Sequence, residues 1–115
     1  MIVELVTFRA TPGADWDAIL AEARATISHW RGNAQLVRKH YLLSEDGTEC
    51  AGLYIWPTRQ AAQAAHDAAW HAAVAERTGA PATIRYFDLQ MLLDNEAGTV
   101  TEWSKDGVKS VRATP

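Results

Sequence analysis

The chain holds one cysteine, Cys50, among 115 residues, so no disulfide can close within it and no cysteine cluster can grip zinc. A lone thiol suits a reducing compartment. Basic residues are few and scattered: eleven Lys and Arg face fourteen Asp and Glu, for a net charge of −3. Without a basic patch there is no footprint for nucleic acid or for an anionic membrane. No apolar run approaches the ~20 residues of a membrane span. The start, Met1-Ile2-Val3-Glu4-Leu5, lacks a basic stretch, a long apolar run and a small-residue cleavage site. No secretory signal is expected there, and the cytoplasm is the expected compartment. A glycine-rich phosphate loop and a serine-centred nucleophile elbow are also missing. The four histidines (His29, His40, His66, His71) show no His-x3-His pair and no two-His-one-carboxylate spacing. The sequence therefore does not suggest a metal site, although ligands can converge in space.

What is present is enough apolar material for a core: 48% of the residues are hydrophobic, which points to one folded domain. Residues 2–9 mix β-branched and aromatic types and stop at Thr11-Pro12-Gly13, a strand followed by a turn. Asp15 stands where a helix N-cap belongs, and Trp16, Ile19, Leu20, Ala23, Ile27 and Trp30 follow at steps of three and four. Gly32-Asn33 closes that helix. Strands are expected over 35–43 and 49–56, joined by a hairpin turn at Asp46-Gly47. Pro57-Thr58 opens a second helix over 58–77, which ends at Gly79, and a last strand runs over 82–93.

The order β-α-β-β-α-β is that of a ferredoxin-like α+β sandwich. Two helices cover one face of its sheet. Bulky apolar groups nevertheless occupy both faces of the first and last strands, with Val3 and Leu5 opposite Val6 and Phe8. A second copy of the sheet is the simplest cover, which predicts a homodimer closing an α+β barrel; the alternative is a monomer whose apolar sheet face the tail covers. Aromatic and basic residues do not alternate on an exposed strand, so RNA binding by a sheet of this topology is not expected. Residues 1–95 form this domain; 96–115 form a polar tail, either frayed or folded at Lys105-Asp106-Gly107 into a short hairpin that docks on the partner.

The second helix, TRQAAQAAHDAAWHAAVAER, carries a stripe of alanines at 61, 65, 68 and 72. Alanine makes a secure helix but fills little space. Either a cavity remains beneath the helix, or it sits closer to the sheet while Trp16, Trp30, Trp56 and Trp70 fill the gaps. His66 and Trp70, at i and i+4, share a face. That places an imidazole able to exchange a proton beside a flat aromatic wall. Asp67 and His71, at the same spacing, are expected to pair on the surface.

Lys39-x-Tyr41, Glu49-x-Ala51-Gly52-Leu53-Tyr54-Ile55-Trp56, Thr58, the alanine-rich helix and Tyr86-Phe87-Asp88 together resemble the YdhR-type monooxygenases. These belong to the dimeric α+β barrel superfamily, which also holds the antibiotic-biosynthesis monooxygenases. The stretch from Trp56 through His66 to Trp70 and His71 is similar to a cavity-lining segment of the latter group. The resemblance spans roughly residues 1–95. It implies a cofactor-independent monooxygenase acting on a small hydrophobic aromatic substrate, phenolic or polyketide-like, in an apolar pocket between sheet and helices. His66 would be the catalytic base, with Trp70, Tyr54, Trp56 and Tyr86 binding the substrate. The superfamily also implies two other readings: an isomerase, cyclase or lyase working without O₂, or a ligand-binding dimer without catalysis. The first-strand asparagine of haem-degrading relatives has no match here; Thr7 or Glu4 occupies that region.

Overall fold

The computed structural model describes residues 1–115. Its elements are β1 (Ile2–Arg9), α1 (Trp16–Arg24), α2 (Ile27–Arg31), β2 (Arg38–Leu43), β3 (Glu49–Trp56), α3 (Arg59–Ala65), α4 (Ala68–Thr78), β4 (Thr83–Asp88), β5 (Met91–Asp94), β6 (Thr99–Trp103) and β7 (Lys109–Ala113). Strands β2-β3-β1-β4 form one antiparallel sheet in that order, the arrangement of a ferredoxin-like α+β fold. No helix is long and apolar enough to cross a membrane.

Strand alternation sorts the residues between two faces. The register aligns Glu4 with Tyr54 and Tyr86, and Lys39 with Tyr54. Glu4, Val6 and Phe8 of β1, Gly52, Tyr54 and Trp56 of β3, Lys39 and Tyr41 of β2, and Tyr86 of β4 thus share the helix side. The core on that side is Val6, Trp30, Tyr54, Trp56 and Ala62. Val3, Leu5, Leu53, Ile55, Leu42 and Phe87 fall on the opposite face, where Leu42 and Phe87 remain exposed.

Three expected elements are interrupted. The first helix breaks after Arg24, where Thr26 turns its hydroxyl onto the Ala23 carbonyl and meets the Tyr41 hydroxyl at 2.9 Å. The helix expected over 58–77 breaks at His66, whose φ of −116° and ψ of 65° end α3. Asp67 then caps α4: its carboxylate accepts the Trp70 N–H at 2.9 Å, so it does not form the expected surface pair with His71. Capping satisfies a helix donor that would otherwise be orphaned, a better use of a short carboxylate than a solvent-screened pair.

The strand expected over 82–93 divides as the chain changes sheets. Leu89 still donates to the Met1 carbonyl at 3.0 Å, while Gln90 accepts from Trp103 at 2.9 Å. Beyond this point β5, β6 and β7 build a second antiparallel sheet, with β6 and β7 joined by a turn at Gly107, where φ is +86°. The boundary at residue 95 falls between β5 and β6. This second sheet projects from the first: the radius of gyration is 15.8 Å, against about 13 Å for a compact chain of this length.

Candidate functional site

The third residue of β1 is where the apolar pattern of the helix-side face is broken. Glu4 lies at the centre of the sheet and is completely buried. A carboxylate there must find donors or forfeit several kcal/mol of solvation. It finds two. The Trp56 indole N–H donates to Oε1 at 2.9 Å, and His66 Nδ1 lies 3.0 Å from Oε1 and 3.1 Å from Oε2.

The helix break puts His66 in this place. Leaving α3 at a non-helical residue turns the imidazole inward, where it is 5% exposed. With Nδ1–H directed at the carboxylate, the neutral ring carries its lone pair on Nε2. Nε2 is enclosed with no hydrogen-bond partner. The rings of Trp70, Tyr54 and Trp30 surround the imidazole, at centroid distances of 4.5, 4.7 and 5.2 Å.

Those same three aromatics form part of the wall of a cavity of about 200 Å³. It lies over β2 and β3, under α1 and α2, and is bounded by Trp70 and Arg77 of α4. The alanine-rich segment does not roof it. Ala62 is wholly buried, and Ala61 and Ala65 pack against the core built on Trp56, so the small side chains let α3 approach the sheet closely. Space opens instead beside the Tyr54 ring, which lies over Gly52 on β3, and under the break in the first helix.

Phe8, Ile19, Trp30, Tyr41, Tyr54 and Trp70 make the cavity mostly apolar. Its charged groups are Lys39, Glu22 and Arg77. Burial lowers the Lys39 ammonium to a pKa of about 8. Burial first, and then the Glu4 charge, pushes the Tyr54 phenol far above its ordinary range, so it remains a proton donor at neutral pH. Burial likewise raises the Cys50 thiol, with Glu22 adding to the effect and Arg77 opposing it.

Of the five residues singled out from sequence, Tyr54 and Trp70 line the cavity, and His66 stands one layer behind them. Trp56 is fully buried and serves Glu4 as a donor, stacked on Tyr54 at 6.0 Å. Tyr86 lies across Glu4 on β4, outside the cavity lining, with the Arg59 guanidinium 4.5 Å from its ring centroid. Glu4, Trp30 and Lys39, named in the sequence for other reasons, were not among the expected site residues. The signal for the two charged residues was available: each interrupts an apolar face at period two, Glu4 between Ile2 and Val6, and Lys39 between Val37 and Tyr41.

No protein-family model matches the chain, and no curated protein does either. Solved structures do match. Rv0793 from Mycobacterium tuberculosis is 19% identical with a TM-score of 0.59, over 82% of this chain and 97% of that one. An antibiotic biosynthesis monooxygenase is 14% identical with a TM-score of 0.60, over 77% and 98%. A monooxygenase from the gene ActVA-Orf6 of Streptomyces coelicolor, in complex with the ligand nanaomycin D, is 19% identical with a TM-score of 0.62, over 80% and 89%. At these identities the likeness is one of fold: the chain has the ferredoxin-like α+β architecture of those proteins.

Proposed function

We propose that the chain is a monooxygenase of the antibiotic-biosynthesis type, close to its YdhR-like branch, acting on a small aromatic substrate without a cofactor. The observation that carries this reading is an apolar cavity whose aromatic wall backs onto a buried carboxylate–imidazole pair. Its volume is of the order that takes one or two aromatic rings, since an apolar cavity of ~150 Å³ can hold benzene. The fold likeness to two monooxygenases, one of them holding nanaomycin D, supports the same class.

In this reading Glu4 fixes the proton on Nδ1 of His66, and Nε2 accepts the phenolic proton of the substrate. Displacement of the Trp70 ring on binding opens Nε2 to the cavity. The phenolate passes one electron to O₂. The phenoxyl radical and superoxide then combine at a ring carbon, and loss of water leaves a quinone, so that phenol and O₂ give quinone and H₂O. Tyr54, held protonated, donates a hydrogen bond to the developing carbonyl. Trp30 and Trp70 exclude water and stack on the ring, while Trp56 and Tyr86 act on the pair from behind rather than touching substrate.

The open sheet face and the projecting second sheet support a homodimer. Leu42 and Phe87 on one, and Met91, Leu93 and Val111 on the other, are exposed apolar groups that a second copy would cover. The arm formed by β5–β7 would reach across to the partner.

The test is oxygen uptake with 1-naphthol, read beside quinone absorbance. Turnover with matched O₂ consumption, reduced about a hundredfold or more in His66→Ala, is the expected result. Turnover without O₂ would move the chain to the isomerase, cyclase or lyase class. Binding without turnover would leave a ligand-binding dimer.

A further inference from the structure

Lys39 projects from β2 into the cavity wall between three aromatic rings. Its Nζ lies 4.0 Å from the centroid of Tyr41, 4.6 Å from Trp30 and 4.7 Å from Tyr54. Such contacts favour the ammonium over the amine. They give its three N–H donors no oxygen acceptor within the protein, however, and an aromatic face is a weak substitute for one. The ion pairs of the chain are His66 with Glu4 and Arg112 with Glu102; neither involves Lys39. The one carboxylate on the cavity wall, Glu22, accepts the Thr11 hydroxyl at 3.0 Å instead. Arg77, the other cation there, has its guanidinium 5.5 Å from the Phe8 ring centroid. The cavity therefore offers flat apolar walls and an excess of positive charge.

We propose that Lys39 is an anion anchor and that the cavity selects aromatic oxyanions, a ring bearing a carboxylate or an ionised phenol, with the ring against Trp30 and Tyr54 and the oxyanion on Nζ. This rests on reading the cavity as the ligand site but does not depend on oxygenation. The desolvation that weakens the ammonium when the cavity is empty is the same feature that strengthens its attraction to an entering anion. If the substrate is a phenol, an ammonium at this position stabilises the phenolate from the ligand side while His66 takes the proton. Lys39 would thus determine which oxyanions the cavity holds, whether they enter ionised or form there.

Calorimetric titration of the full chain with 1-naphthoate and with its neutral counterpart 1-naphthamide tests the idea. The unaltered protein should prefer the carboxylate. Lys39→Met, close in volume to lysine, should lose about ten- to a hundredfold in affinity for the carboxylate and change little toward the amide. Lys39→Arg should retain the preference, and melting curves of both variants show whether the fold is intact. An equal loss for both ligands in Lys39→Met would make Lys39 a mere wall and overturn the anchor while leaving the cavity as a binding site. Failure of the unaltered protein to bind either probe at millimolar concentration would remove the cavity reading, and the anchor with it. Carboxylate preference that survives in Lys39→Met would place the anchor elsewhere, with Arg77 the alternative.

Discussion

His66 Nδ1 sits astride both oxygens of the Glu4 carboxylate, 3.0 and 3.1 Å away, across 62 residues of sequence. Because both side chains are buried, each depends on the other. Removing one partner strands the other in a low-dielectric site, and Glu4→Ala is expected to lose about 3–5 kcal/mol of stability in urea unfolding. The double variant Glu4→Leu with His66→Leu should recover most of that loss, because no uncompensated polar group remains. A double variant as weak as the two single losses added together would mean that the pair is not a unit.

Gly52 and Tyr54 are two apart on β3 and face the same way. A Cβ at Gly52 would lie 2.6 Å from Tyr54 Cε1. The ring cannot retreat, being packed against Trp30, His66 and Trp56. Gly52→Ala should therefore cost about 1–3 kcal/mol, as overpacking does. In a Tyr54→Leu background the same change should cost little. Unfolding of the four proteins measures the coupling, and additive losses would refute the clash.

Lys39 gives the stability a pH dependence of defined sign. Its folded pKa is lowered from 10.5 to about 8, so between these values the unfolded chain binds more protons than the folded one. Stability then rises with pH across that window. Raising the pH from 7.5 to 9.5 should shift the urea midpoint upward in the unaltered protein relative to Lys39→Met. Glu22, Arg77, Cys50, Tyr41 and Tyr54 share the cavity, so the comparison with the variant, not the absolute slope, isolates Lys39. Parallel curves would show that the ammonium is not desolvated.

Leu53 occupies the centre of the open sheet face, between Leu5 of β1 and His40 of β2. If a second copy covers this face, Leu53→Arg should halve the mass seen in sedimentation while leaving the circular dichroism of the chain unchanged. An unaltered mass, or a monomer before the substitution, would reject the paired-sheet assembly.

Local patterns alone determined the first three strands, the capped helix starts at Asp15 and Thr58, and the β-α-β-β-α-β order of the first sheet and its helices, since alternation and capping act within a few residues. Asp67 was legible as a cap in principle, but the alanine run around it favours helix so strongly that the break is visible only once His66 has a buried partner to reach. That His66 and Trp70 share a face could be read from their spacing; the contact between His66 and Glu4 could not, because a carboxylate at one strand position says nothing of what lies 62 residues on. Tertiary packing decided where the cavity opens, why Trp56 serves Glu4 instead of a ligand, and how Lys39 comes to stand among three rings. Each depends on which side chains meet across strands and helices, and on how much volume they leave between them.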